Sequence, residues 1–115
     1  MLHQLMSEFL QIDGVTTVAL IAQDGFVIEY IQNDSLNIDT LGALCLDAAR
    51  FFSQDRNTLG MGGLRQVVLE QSGGVIVISR VTSEELLVVV ANTKLLLGRL
   101  TQRIPKISQR IAAAI

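Results

Sequence analysis

The sequence predicts an α/β (α+β) domain, a three-layer sandwich in which a five-stranded antiparallel sheet carries helices on both faces. Three observations predict it. Apolar residues recur with helical spacing in three segments and with strand character in five, in the order α-β-β-α-β-β-β-α. The runs Val75-Ile-Val-Ile78 and Leu86-Leu-Val-Val-Val90 are apolar at both parities, so those strands need cover on both faces. A chain of 115 residues, 50% of them hydrophobic and 17% charged, has the material for one core and hence a single domain over 1–115.

Taken in order, Leu2, Leu5, Phe9 and Ile12 step by 3, 4 and 3 and predict a first helix over about 2–12, which Gly14 can close in the left-handed conformation. Residues 15–23 and 26–31 are two strands joined by Asp24-Gly25, a dipeptide suited to a two-residue hairpin turn. After the polar loop 32–35, Asn37 or Asp39 caps a second helix. Its inward stripe is Ile38, Leu41, Cys45, Ala48 and Phe52, and it runs to about Asp55. Leu59-Gly-Met-Gly-Gly63 is a flexible connector into a meander of strands over 64–71, 75–81 and 86–91. Asn92 or Thr93 caps the last helix, where Leu97, Leu100, Ile104, Ile107 and Ile111 repeat 3, 4, 3, 4. Pro105 is expected to kink that helix or end its first part, because it lacks an N–H and crowds the preceding turn. The second helix covers one sheet face, and the first and third share the other.

Composition narrows the function. A net charge of −2 and a pI near 5.2 offer no general attraction for nucleic acid or anionic membrane. Positive charge is local: residues 94–115 carry Lys94, Arg99, Arg103, Lys106 and Arg110 and no acid, for +5, against −7 for the rest. Such a helix can seek an acidic partner, although cations near a helix C-terminus also form an ordinary solvated face, the reading favoured here. A mean hydropathy of +0.46 is high for so small a domain and points to a buried subunit interface. One cysteine, Cys45, and one histidine, His3, allow neither an intramolecular disulfide nor an ordinary zinc site. No apolar run reaches the roughly 18 to 20 residues of a membrane span, and Glu8 and Asp13 interrupt any signal-peptide pattern, so a reducing cytoplasm is the expected location.

Candidates for chemistry are thin. Cys45 falls on the apolar stripe of the second helix and reads as core, and His3 as a solvated terminal residue. Glu84 and Glu85 are adjacent in a turn, where their side chains diverge. Gly60, Gly62 and Gly63 precede a strand rather than a helix and no Lys-Ser/Thr follows, so they make no phosphate loop. No catalytic, cofactor or metal residue is assigned. Phe51 is the sharpest clue: with Phe52 on the inward stripe, it lies about 100° round the helix, where its ring needs a cover. A second copy of the helix is the first choice and a partner protein the second.

Several motifs together resemble the roadblock / dynein light-chain family, and within it the bacterial MglB-like regulators of Ras-type GTPases. They are Ile12-Asp-Gly-Val15, Ala19-Leu-Ile-Ala-Gln-Asp-Gly-Phe-Val27, a helix with Leu44 and Ala48, Leu59-Gly-Met-Gly-Gly-Leu64, and the closing Leu86-Leu-Val-Val-Val-Ala91. The last helix departs, since Thr93-Lys-Leu-Leu-Leu-Gly98 keeps only the glycine of an asparagine-leucine-glycine turn. The resemblance implies a homodimer whose third strands pair across a twofold axis, with the second helices side by side. Leu44, Phe51, Gln66, Val67, Val68 and Leu69 would then form the interface. It also implies a noncatalytic role, without cofactor, in holding a small Ras-like GTPase and accelerating or scaffolding its cycle, with Asp47, Arg50 and Gln54 as the partner strip. Family members of this kind are thought to supply no arginine to the active site, so Arg50, Arg56 and Arg65 are not read as arginine fingers. The alternative is a structural assembly subunit without GTPase affinity. A small enzyme or ligand sensor is a third class, and it lacks convergent polar groups.

Overall fold

The computed structural model describes residues 2–53, 60–92 and 97–115. The elements are α1 (Leu2–Leu10), β1 (Val15–Ala22), β2 (Val27–Gln32), α2 (Ile38–Ser53), β3 (Gln66–Gln71), β4 (Gly74–Arg80), β5 (Glu85–Ala91) and α3 (Leu97–Ala114), in the expected order. The five strands form one antiparallel sheet in the order β2-β1-β5-β4-β3. Pairing of β1 with β5 joins the hairpin to the meander at the sheet's centre, which leaves β2 and β3 as the two edges.

Alternation along β1 assigns the layers. Val18 and Leu20 point to the face covered by α1 and α3, where they pack with Met6, Phe9, Leu87, Leu100, Ile104 and Ile111. Ala19 and Ile21 point to the α2 face, against Leu41, Cys45, Ala49, Ile78 and Val88. Each large side chain fully buried in these layers contributes about 1.5–3 kcal/mol relative to exposure. The four central positions of β1 and of β5 are buried, as strands covered on both faces require.

Local chemistry explains where the elements stop. α1 ends at Leu10, and Ile12 is buried beyond it through turn bonds from Ile12 N to Phe9 O (3.1 Å) and from Val15 N to Ile12 O (3.1 Å). Asn37 is the cap of α2, its Oδ1 accepting from Thr40 N at 3.0 Å. Gly74 starts β4 under the Ala91 carbonyl, and a Cβ there would run into that oxygen. The expected end of α2 at Asp55, Leu59 of the connector and the alternative cap Thr93 lie outside the described residues.

Two expectations are corrected and one is narrowed. The β1–β2 connection is a three-residue loop rather than a two-residue turn: Ala22 N donates to Phe26 O (2.8 Å) and Gly25 N to Ala22 O (2.9 Å). Only Gly25 adopts a positive φ, +90°, while Asp24 keeps a negative one and uses Oδ1 to accept from Phe26 N, so the two-residue turn with both φ positive is not formed. Phe52 is not on the buried stripe but 53% exposed. It lies near the end of α2, where the helix has passed the residues it packs on, and its ring stacks edge-on with Phe51 at 5.2 Å. Pro105 does not end α3, which continues through it to Ala114. The proline sits on the exposed side, and burial of Leu100 and Ile104 before it and Ile107 and Ile111 after it holds both halves on one core.

Candidate functional site

Along α2, Leu41, Gly42, Cys45, Leu46 and Ala49 are buried, so the helix has two flanks. One leans on the β1–β2 loop, where Arg50 Nη2 donates to Gln23 O at 2.7 Å. The other carries Leu44 (49% exposed) and Phe51 (65%), with Asp47 on the same stripe by spacing. Asp47 therefore belongs with Leu44 and Phe51, whereas Arg50 is drawn to the opposite flank. Gln54 and Arg56 lie outside the described residues.

Beside the apolar flank, the sheet's α2 face is open. A groove of about 590 Å³ runs between Leu36, Leu41 and Leu44 on one wall and Ile76 and Val90 of the sheet, ending at the Gly73–Gly74 turn. Further along β3, Val67 and Leu69 rest on the α2-side core, half-buried, while Val68 is exposed on the other face and Gln66 is partly covered. Arg80 N donates to Arg65 O (2.9 Å), so Val67 and Leu69 direct their backbone groups at β4 by alternation. Gln66, Val68 and Glu70 turn theirs to the free edge. The structure thus brings Leu44 and Phe51 to one side of an open apolar face and Gln66 to Leu69 to the edge that bounds it.

A polar cluster at the mouth of the groove escapes a reading of the sequence. The buried Thr17 hydroxyl donates to the Asp34 carboxylate, 2.9 and 2.8 Å from its two oxygens, and Gln32 Nε2 (2.7 Å) and Leu36 N (3.2 Å) donate to Oδ1. Partial desolvation raises the Asp34 pKa, but hydrogen bonds from Thr16, Thr17, Gln32 and Leu36 outweigh it and hold the carboxyl below its usual 3.8. A threonine inside an apolar strand, Val15 to Ala22, is the available signal.

The remaining candidates stay apart. Cys45 is buried and its thiol pushed up to about 12 by desolvation, which leaves no thiolate at neutral pH. His3 is exposed on α1. The Thr82 hydroxyl bonds Glu85 and accepts from the backbone of Glu84 and Glu85, so the adjacent acids are divided between a turn and solvent. Gly60 and Gly62 have open space around them and precede β3. Among the described residues no three His, Cys, Asp or Glu side chains form a metal-binding group, and no helix is long and apolar enough to cross a membrane. On α3 the cations Arg99, Arg103, Lys106 and Arg110 form an exposed stripe, with Arg110 bound to Glu8 of α1 at 3.0 Å; Lys94 lies outside the described residues.

The comparisons agree with this fold. The family model described as the Roadblock/LC7 domain matches residues 1–91. The fold is similar to that of a solved structure described as MglB with tetrameric arrangement, with a TM-score of 0.88 and 20% identity over 97% of this chain and 85% of that one. It is also similar to the gliding protein MglB from Thermus thermophilus (TM-score 0.87, 21% identity, 99% and 90% covered). A Roadblock/LC7 domain from Streptomyces avermitilis follows at 0.84 and 23% identity, with 96% and 94% covered. At these identities the likeness concerns the fold. No curated protein matches the sequence.

Proposed function

Because the chain belongs to the Roadblock/LC7 domain family, we propose that it acts as a homodimeric regulator or scaffold that binds a small Ras-like GTPase and modulates its cycle. The observation that carries the reading is the free β3 edge beside an open half of the α2 face, with Leu44 and Phe51 exposed on the flank that borders it. A free edge with apolar neighbours invites pairing, and a twofold copy supplies the same surface in return. Pairing β3 with its copy would make one ten-stranded sheet and set the two α2 helices side by side over the groove. Gln66, Val67, Val68 and Leu69 then form the strand seam, and Leu44 and Phe51 the helix seam. Asp47 and Arg50, which lie on different flanks of α2, and Gln54 are the proposed contacts for the GTPase.

The mechanism is differential binding rather than chemistry on the dimer. A surface that fits one arrangement of the GTPase switch loops better than another shifts that population and with it the hydrolysis rate. No cofactor takes part, and the proposed setting is a reducing cytoplasm that keeps Cys45 as a thiol.

The test starts with solution mass by light scattering for the wild type and Phe51→Asp. A wild-type dimer split by the variant supports the shared helix seam, and a wild-type monomer overturns it. GTP hydrolysis by small GTPases of the same cell, with and without the dimer, then decides the role. A dimer that neither binds nor changes any of them is an assembly subunit.

A further inference from the structure

The sheet has a second free edge, β2, at the end remote from β3. Its ladder with β1 is regular from Glu29 to Gln32, and Asn33 N donates to Thr16 O at 2.7 Å. By alternation, Ile31 and Glu29 turn their backbone groups to β1, whereas Tyr30 and Gln32 turn theirs away from it. Large apolar side chains stand exposed along this edge: Phe26 at 67%, Ile28 at 38% and Tyr30 at 46%. Tyr30 pairs with Ala19 and so lies on the α2 face, while Glu29 pairs with Leu20 and lies on the α1 face. An edge of this kind is normally blunted by lysine or proline, and β2 contains neither.

Charge selects the occupant. From residue 4 to residue 49 the sequence holds no Lys, Arg or His; Glu29 lies within β2, and Asp24 and Asp34 lie in the loops that flank it. Arg50 approaches its loop end through the Gln23 carbonyl, and Asp34 is engaged with Thr17 and Gln32. A second copy of β2 would set this cation-free segment against itself.

We propose that the β2 edge is a docking strand for an extended segment of a partner protein in which apolar residues alternate with lysine or arginine. The segment adds as a sixth strand. Its backbone bonds Tyr30 and Gln32, its apolar side chains cover Ile28 and Tyr30, and a cation meets Glu29. The inference does not depend on the β3 dimer, because the two edges lie at opposite ends of the sheet.

The probe is a labelled synthetic peptide, Thr-Lys-Val-Arg-Val-Lys-Val-Thr, titrated by fluorescence anisotropy and by amide shifts of isotope-labelled full-length protein. Saturable binding is expected, with shifts centred on β2. Replacing the peptide's cations by glutamate, or its central valine by proline, is expected to weaken binding by about tenfold or more. Tyr30→Pro removes an N–H that faces away from β1 and is expected to weaken binding about tenfold while the thermal melt stays cooperative. Ile28→Lys leaves the backbone intact and is expected to act likewise, and Glu29→Lys to reverse the preference toward the glutamate peptide. Absence of binding at millimolar peptide, shifts centred on α3 or β3, or indifference to both Tyr30→Pro and Ile28→Lys would overturn the proposal. So would a solution mass that Ile28→Lys or Tyr30→Pro halves, since the edge would then hold a second copy.

Discussion

Thr17 shows how a polar residue survives in the middle of an apolar strand. Its hydroxyl is buried and has one strong acceptor, the Asp34 carboxylate, which also gathers Gln32 Nε2 and Leu36 N and so ties the end of β2 to the loop before α2. Thr17→Val is expected to cost about 1–2 kcal/mol at neutral pH, the low end for a bond to a charged group because the carboxylate is partly solvated. Since the folded pKa of Asp34 lies below 3.8, its contribution is complete above that value and is lost as the pH falls through the folded pKa. Denaturant melts of wild type and variant should therefore converge as the pH drops from neutral to below 3.8, and a pH-independent gap would contradict the hydrogen-bond account. Cys45 makes the opposite case, a group silenced by burial. With its pKa pushed up to about 12, an aromatic disulfide reagent is expected to leave the native thiol unlabelled and to react with it in denaturant. Fast native labelling would mean that α2 lifts from the sheet.

The existence and order of the elements can be read from residue spacing because each segment has a clear apolar period: 3, 4, 3, 4 along α3, unbroken apolar runs in β4 and β5. What periodicity cannot express is where an element ends relative to its neighbours. Phe52 falls close to Cys45 in angle on α2, yet it is exposed because burial also depends on having a surface beneath that turn. Nor does local pattern reveal that α2 lies over only half its sheet face, a consequence of the non-local pairing of β1 with β5, and so the groove beside Leu44 is not legible in the sequence. Pro105 is a defect in α3, as its chemistry implies, but not a break. The helix forgoes the bond to the Thr101 carbonyl and stays whole because core contacts on both sides outweigh that loss. Pro105→Ala restores the donor, and a gain of about 1–3 kcal/mol is expected, seen as a higher Tm. An unchanged Tm would mean that α3 has already relaxed its backbone around the proline at no cost.

For the molecule as a whole, the two free edges are physically different, and the difference predicts different fates. β3 pairs with β4 over six consecutive positions without irregularity, and it borders the open apolar half of the α2 face. β2 also has six residues, but its ladder with β1 shifts register between Leu20 and Ile21 and skips Ile28, and acids flank it. A twofold copy suits the straight edge, where Val68 meets Val68 or its neighbours and no cluster of like charge is brought together. The decisive variant is Val68→Pro. Val68 turns its N–H away from β4, so proline there removes a donor from the edge while leaving the β3–β4 ladder intact. Light scattering is expected to give half the wild-type mass for Val68→Pro, with a melt that remains cooperative, and the wild-type mass for Tyr30→Pro on the opposite edge. If Val68→Pro keeps the wild-type mass, the copies do not meet along β3. The surface available for a partner would then be the α2 flank of a single chain, with the groove beside Leu44 open to it.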